Sequence, residues 1–288
     1  MSYSATKRGK AASKAHREAE RLREEAARRA AAARRRRNRL IAVAAAVAVL
    51  AVAAVVTVTQ VRAADERARL TGPENMLSDG VLVYGDGEST APVGLTTEAN
   101  GPGTDPVPTG DTSMFGVVNV KVYADYTDPS AADFWAANGA DLAERVVDGN
   151  VTVELHAIGE SQAAVAAARV LACVADQVPD AALTAHGALL AAQADLAGAG
   201  AADLVAILAQ AGVDDDGVAS CVTSGRFADW VDGAIRRAAD GAVDTVVGPV
   251  TASGVWVLNT PYEGAMDDAD AFGAVLEEAL AAVAIEEG

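Results

Sequence analysis

The chain has 288 residues, enough for one or two domains. Its hydrophobic share is 51% with only 4% aromatics, so Ala and Val carry most of the apolar content and any core is built largely from small side chains. A formal charge of −17 disfavours nucleic acid as a partner for the bulk of the chain.

The charge is unevenly placed. Residues 1–39 hold 14 Lys/Arg against 4 Asp/Glu, residues 40–61 hold no charge, and residues 62–288 hold 9 Lys/Arg against 36 Asp/Glu. Such asymmetry calls for a different environment on each side of the uncharged segment. Residues 1–39 end in Arg34-Arg35-Arg36-Arg37-Asn38-Arg39. A nucleic-acid-binding arm is one reading, and a basic cytoplasmic tail beside a membrane segment is the other. Leu40 to Val61 is long enough to cross a hydrocarbon core of about 30 Å as a transmembrane helix. The basic side then stays in the cytoplasm and the acidic remainder lies outside, which predicts a single-pass protein of the cell membrane with an extracytoplasmic C-terminal domain. A cleaved signal peptide ending at Ala63 is the rival, but the apolar run is long for one.

Residues 62–84 read as a stalk, helical from Arg62 to Ser78, followed by a short strand at Gly80–Tyr84. Gly85-Asp86-Gly87 lacks the Lys and Ser/Thr of a phosphate-binding loop and reads as a turn. Residues 85–113 are rich in Pro, Gly and Thr and read as a linker or loop before a domain at 114–288. The β-branched, alternating run from Val117 predicts a strand. Asp128 is placed to cap a helix with Pro129 at its first position, and Phe134, Leu142 and Val146 mark its apolar face. Val151 to Ile158 alternates strictly, giving a strand–helix–parallel strand unit. His156 lies on the face opposite the valines.

Residues 161–240 read as helical, with breaks near Pro179, Gly198, Gly212 and Gly225. Asp214-Asp215-Asp216-Gly217 lacks the spacing of a calcium loop and reads as a helix cap. A second strand region spans Val243 to Asn259, and Asp267 to Ile285 closes the chain as a helix with Phe272, Leu276, Ala279, Leu280 and Val283 on one face. Cys173 and Cys221 are the only cysteines, and an even count outside the membrane implies one disulfide. Closing that loop stabilises the fold by about 4 kcal/mol on the chain-entropy view. The alternative is that this pair is itself a redox centre. The three histidines, His16, His156 and His186, show no metal-ligand spacing, so neither metal nor cofactor is expected.

The run through residues 117–135 resembles the active-site region of DsbA-type thioredoxin-fold oxidoreductases. Tyr123, Asp125, Tyr126, Pro129, Phe134 and Trp135 match the frame around their Cys-Pro-x-Cys motif. The motif itself reads Asp128-Pro129-Ser130-Ala131, with Asp128 at the nucleophilic cysteine's position and Ala131 at the resolving one's. The resemblance implies an α/β thioredoxin-like fold with an inserted helical subdomain, and a cis-proline loop beside the helix, which Pro249 fits approximately. It also implies a non-catalytic disulfide in the insertion, since membrane-anchored members carry text resembling that around Cys173 and Cys221. Tyr126, Asp128, Pro249 and Val250 are then the expected binding residues, and no residue is expected to be catalytic. Three functions follow: a pseudo-oxidoreductase binding an extracytoplasmic polypeptide or envelope protein, a thiol–disulfide enzyme using Cys173 and Cys221, or a structural module of an envelope complex.

Overall fold

A computed structural model describes residue 60, residues 62–110, residues 112–113 and residues 116–286. The chain divides into two units, residues 1–64 and 65–288. The segment expected to span a membrane, 40–61, lies outside the described residues except for Gln60, as does the basic tail. Among the described residues no helix is long and apolar enough to cross a membrane.

The second unit is built on a six-stranded mixed sheet. Its strands are β1 (Val81–Tyr84), β2 (Val93–Gly94), β3 (Val118–Asp125), β4 (Val151–Ile158), β5 (Gly254–Val257) and β6 (Thr260–Pro261). Their spatial order is β2-β1-β4-β3-β5-β6. Strands β3 and β4 are parallel, joined across helix α1 (Pro129–Val147), and β1 and β5 flank them antiparallel. The parallel pair follows from the strand–helix–strand order, because a crossover helix returns the chain in the same direction.

The alternation along the strands sorts their side chains onto two faces. Val118, Val120, Val122 and Ala124 of β3 share a face with Val151, Val153 and Leu155 of β4, Val81 and Val83 of β1, and Val255 and Val257 of β5. All are buried in one core with Phe134, Leu142 and Val146 of α1 and with Phe272, Leu276 and Val283 of the C-terminal helix α7 (Ala269–Glu286). Phe134 meets Phe272 edge to face, with centroids 5.0 Å apart. Each large aliphatic or aromatic side chain so buried stabilises the fold by about 1.5–3 kcal/mol.

The opposite face is polar and is also buried. Lys121 on β3 pairs in register with Glu154 on β4, and Tyr123 with His156. Lys121, Glu154 and His156 are 2%, 1% and 4% exposed. Three neighbouring segments supply their partners. Lys121 forms an ion pair with Asp244 and donates to Asn259 Oδ1 at 2.7 Å. Ser78 hydrogen-bonds Glu154, whose Oε1 also lies 3.4 Å from His156 Nε2. Tyr123 stacks on His156 with centroids 4.4 Å apart. At the edge of this layer Arg237 makes a two-pronged bond to Asp79, at 2.6 and 2.9 Å.

These contacts correct two expectations. The helix at the start of the second unit ends at residue 70, and residues 71–80 run irregularly over the domain rather than continuing as a stalk. Asn75 donates to the carbonyl of Ala175, Glu74 N to Asp176, and Met76 is buried. The segment expected as a linker between units, 85–113, supplies β2 and is tied to the domain by Gly94 N to Asp180 and Thr97 N to Asn75. The domain therefore begins well before residue 114. Local composition marked these residues as turn-forming, whereas their backbone groups find partners on β1 and on the side chains of Asn75 and Asp180.

Residues 162–239 form α2 (Gln162–Gln177), α3 (Ala182–Ala191), α4 (Ala201–Gln210), α5 (Asp216–Ser224) and α6 (Ala228–Ala239). The expected breaks fall between them, and Asp215 caps α5 by accepting from Val218 N. Cys173 on α2 and Cys221 on α5 are joined in a disulfide, with both residues buried.

The Lys121–Asp244 pair generates a prediction. Asp244→Ala leaves Lys121 buried and uncompensated, and the expected loss is about 3–5 kcal/mol in urea unfolding. Lys121→Met combined with Asp244→Leu removes both charges and recovers most of it. A double variant no more stable than the single one would show that the pair is not the stabilising unit.

Candidate functional site

The site lies where β3 feeds α1. Asp125 ends the strand, and its Oδ1 accepts from Thr127 N at 2.8 Å and Thr127 Oγ1 at 2.7 Å, closing a tight turn. Asp128 follows as the N-cap, its backbone extended at φ −89° and ψ 117°. Its Oδ1 accepts from Ser130 N at 2.9 Å and its Oδ2 from Ser130 Oγ at 2.8 Å. Pro129 occupies the first helical position, where a missing N–H costs nothing. Capping satisfies one of the orphan donors of a helix start, and the dipole favours a negative charge there.

Partial burial by itself would raise the Asp128 pKa, but hydrogen bonding from the nearby Ser253 hydroxyl and from Ser130 outweighs it and holds the carboxyl below its ordinary value. Asp128 is thus an anion at neutral pH. Ala131, one turn on, is buried in the core.

The loop facing Asp128 is not the one expected. The resemblance places Pro249 approximately in a cis-proline loop beside the helix. No cis peptide bond occurs among the described residues, and Pro249 packs against Gly241 at the end of α6. Val250 is buried, and its N–H donates to the carbonyl of Ala238 at 2.9 Å. The residue that reaches the site is Ser253, directly before β5. Its hydroxyl accepts from Asp125 N at 3.1 Å. No proline occupies that position; Pro249 lies four residues earlier in the chain.

Tyr126 is also displaced from the expected groove. It is fully buried behind the turn, where its hydroxyl lies 2.8 Å from Nδ1 of His186 on α3. Burial raises the Tyr126 pKa and pushes that of His186 down to about 3. Trp135 packs edge-on against the imidazole at 4.4 Å, and Gly187 leaves the room its indole occupies. His186 Nε2 is buried without a hydrogen-bond partner. The insertion also reaches the turn through Gln193, whose Nε2 donates to Thr127 O at 2.8 Å. On the other side Ser161, the cap of α2, lies 3.3 Å from Thr127 through their hydroxyls. Gly159, at φ +100°, is the residue type that lets β4 pass the Asp125 carboxyl, since a Cβ there would come within 2.4 Å of it.

The arrangement presents one anion ringed by the hydroxyls of Ser130 and Ser253, on a rigid turn. It holds no thiol and no histidine at the surface. Among the described residues no group of His, Cys, Asp and Glu is arranged to hold a metal ion. Of the residues singled out from sequence, Asp128, Pro129, Ser130 and Ala131 are contiguous here. Tyr126 supports them from behind, Val250 belongs to the small core under α6, and Pro249 lies exposed beside Gly241. Ser253 and His186 carried no sequence signal as site residues, because a serine between strands and a histidine within an Ala/Leu helix are unremarkable without their neighbours.

His186 makes the protein acid-sensitive in a definite window. Its folded pKa lies below the ordinary 6.5, so the unfolded chain binds the proton first and stability falls as pH drops from 6.5 toward about 3. The expected slope is about 1.4 kcal/mol per pH unit. His186→Gln keeps a partner for Tyr126 and flattens the slope between about pH 6.5 and 5, above the range where carboxylates titrate. Parallel slopes in urea unfolding of the two proteins would assign the effect elsewhere.

A family model described as thioredoxin matches residues 116–250. No curated protein sequence matches the chain. Among solved structures, the chain is similar to the MdbA thiol-disulfide oxidoreductase of Actinomyces oris, with a TM-score of 0.51 and 14% identity, covering 70% of this chain and 88% of that one. It is also similar to oxidised DsbA of Mycobacterium tuberculosis, at a TM-score of 0.49 and 23% identity over 70% of this chain and 92% of that one. BdbD of Bacillus subtilis follows at 0.46 and 17%, over 62% and 93%. The β3–α1–β4 unit, the antiparallel flanks β1 and β5 and the helices inserted after β4 agree with the family model and with the Actinomyces oris structure: the chain carries a mixed α/β thioredoxin-like domain with a helical insertion, and its structural neighbours are DsbA-type oxidoreductases.

Proposed function

We propose that the chain is a membrane-anchored, extracytoplasmic DsbA-like protein that lacks the catalytic dithiol and binds an extended polypeptide or a partner protein at the start of α1. The observation that carries this reading is the N-cap itself. A helix N-terminus that lowers a thiol's pKa in an oxidoreductase here holds a carboxylate, Asp128, bonded to Ser130 N and Oγ. The electrostatic design of the position is kept, while Ala131 removes any resolving group. The membrane anchor rests on the uncharged run 40–61 and the basic residues before it.

The existing disulfide motivates a second reading, a thiol–disulfide oxidoreductase acting through Cys173 and Cys221. Burial argues against it, because exchange needs a thiolate to approach one sulfur in line, and these cysteines are 0% and 4% exposed. A third reading, a structural module of an envelope complex, shares the same surface and differs only in its partner.

Insulin reduction separates the first two. The wild-type protein is expected to show no turnover above a Cys173→Ser/Cys221→Ser variant, and Asp128→Cys with Ala131→Cys is expected to create activity on the same scaffold. Wild-type turnover that disappears with Cys173 and Cys221 would establish the enzyme instead. Asp128→Lys is expected to weaken capture of unfolded polypeptide or of the partner crosslinked in membranes. Unchanged capture would move the binding surface away from α1.

A further inference from the structure

A cavity of about 460 Å³ opens between α2 and α6, floored by Val165 and Ile235. It adjoins the site already described. Glu160 and Gln162, at one end, flank Ser161, whose hydroxyl is 3.3 Å from that of Thr127. At the other end Arg169 and Asp232 form a loose ion pair of 3.4 Å, with side chains 35% and 44% exposed.

Arg236 on α6 also lines the cavity and is exposed. Beyond residue 70, every other Lys or Arg has an acidic partner: Lys121 with Asp244, Arg145 with Asp141, Arg169 with Asp232, Arg226 with Asp176 and Arg237 with Asp79. Arg236 has none among the described residues, in a region where acids outnumber bases 36 to 9. Its helix neighbour Arg237 points the other way, to Asp79. A guanidinium with no acidic partner among the described residues, over an aliphatic floor and in so acidic a surface, is placed to meet a carboxylate.

We infer that the groove between α2 and α6 is a subsite for an extended polypeptide that carries one carboxylate side chain next to an aliphatic one. The aliphatic group covers Val165 and Ile235, and the carboxylate meets Arg236. Glu160, without a partner among the described residues, and the half-exposed Asp232 repel a second acid, so the groove selects a singly acidic segment rather than an acidic run. A chain leaving Asp128 along the Thr127–Ser161 contact enters the groove directly. The inference rests on the reading of the site as polypeptide-binding.

The test uses the full chain in detergent micelles and a short fluorescein-labelled peptide with a central Leu-Glu, compared with Leu-Gln and Leu-Lys versions. The Leu-Glu peptide is expected to bind about three- to tenfold more tightly than the Leu-Lys peptide, with the difference shrinking as salt rises. Arg236→Glu inverts the preference, and Arg236→Gln, which adds no like charge near the helix C-terminus, gives an intermediate value. A photocrosslinking residue at Gln162 captures the peptide. If peptides are captured from a crosslinker at Pro129 without regard to charge, or if Arg236→Glu leaves the preference unchanged, the groove assignment falls while the polypeptide reading stands. Capture from neither position overturns the polypeptide reading itself.

Discussion

Lys121 and Glu154 face each other across the two central strands, and neither side chain reaches water. Buried charge is tolerated only where it is paired and hydrogen-bonded, so the layer above these strands must supply partners. It does so from three directions. Asp244 comes from the loop after α6, Ser78 from the segment before β1, and Asn259 from the turn after β5. Parts of the chain far apart in sequence are thereby held to one sheet face. Burial would raise the Glu154 and Asp244 pKa values. The His156 and Ser78 bonds for the first and the Lys121 pairing for the second reverse that, and both stay below their ordinary values. Their contribution is present above the ordinary carboxylate range and lost as pH falls through it.

The same face continues into the site. Tyr123 and Asp125 are the next residues on that side of β3, and Asp125 begins the turn that delivers Asp128 to the helix start. Rigidity at the turn comes from both sides. His186 and Gln193 of the insertion hold Tyr126 and Thr127, while Ser161 and Ser253 reach it from the α2 cap and from the residue before β5. A carboxylate held this way is preorganised as an electrostatic feature, with its donors supplied by Ser130 and the nearby Ser253.

The helical insertion contributes an Ala-rich part of the main core, in which the Cys173–Cys221 bridge ties α2 to α5. Small side chains bury little area each, so a covalent tie has more relative weight in such a subdomain than in an aromatic-rich one. The insertion meets the sheet domain along α2 and α6, and its helix α3 meets α1 where His186 packs against Trp135.

The sequence by itself determined the elements: the alternation of Val118–Asp125 and Val151–Ile158, the Asp128-Pro129 helix start, the glycine and proline breaks between helices, and the pairing of two cysteines by their number. Each of these depends on local backbone preference or on counting, which a single chain displays directly. What only the tertiary structure decided is what covers each face. Alternation shows that Lys121, Glu154 and His156 share a side of the sheet, but a polar side is ordinarily the wet one, and its burial depends on Ser78 and Asp244 arriving from elsewhere. The same holds for residues 71–78 and for β2, which composition marked as stalk and linker, and for Ser253, which took the place assigned to Pro249. In each case the deciding term is a contact between residues distant in sequence, and no periodicity within either segment records it.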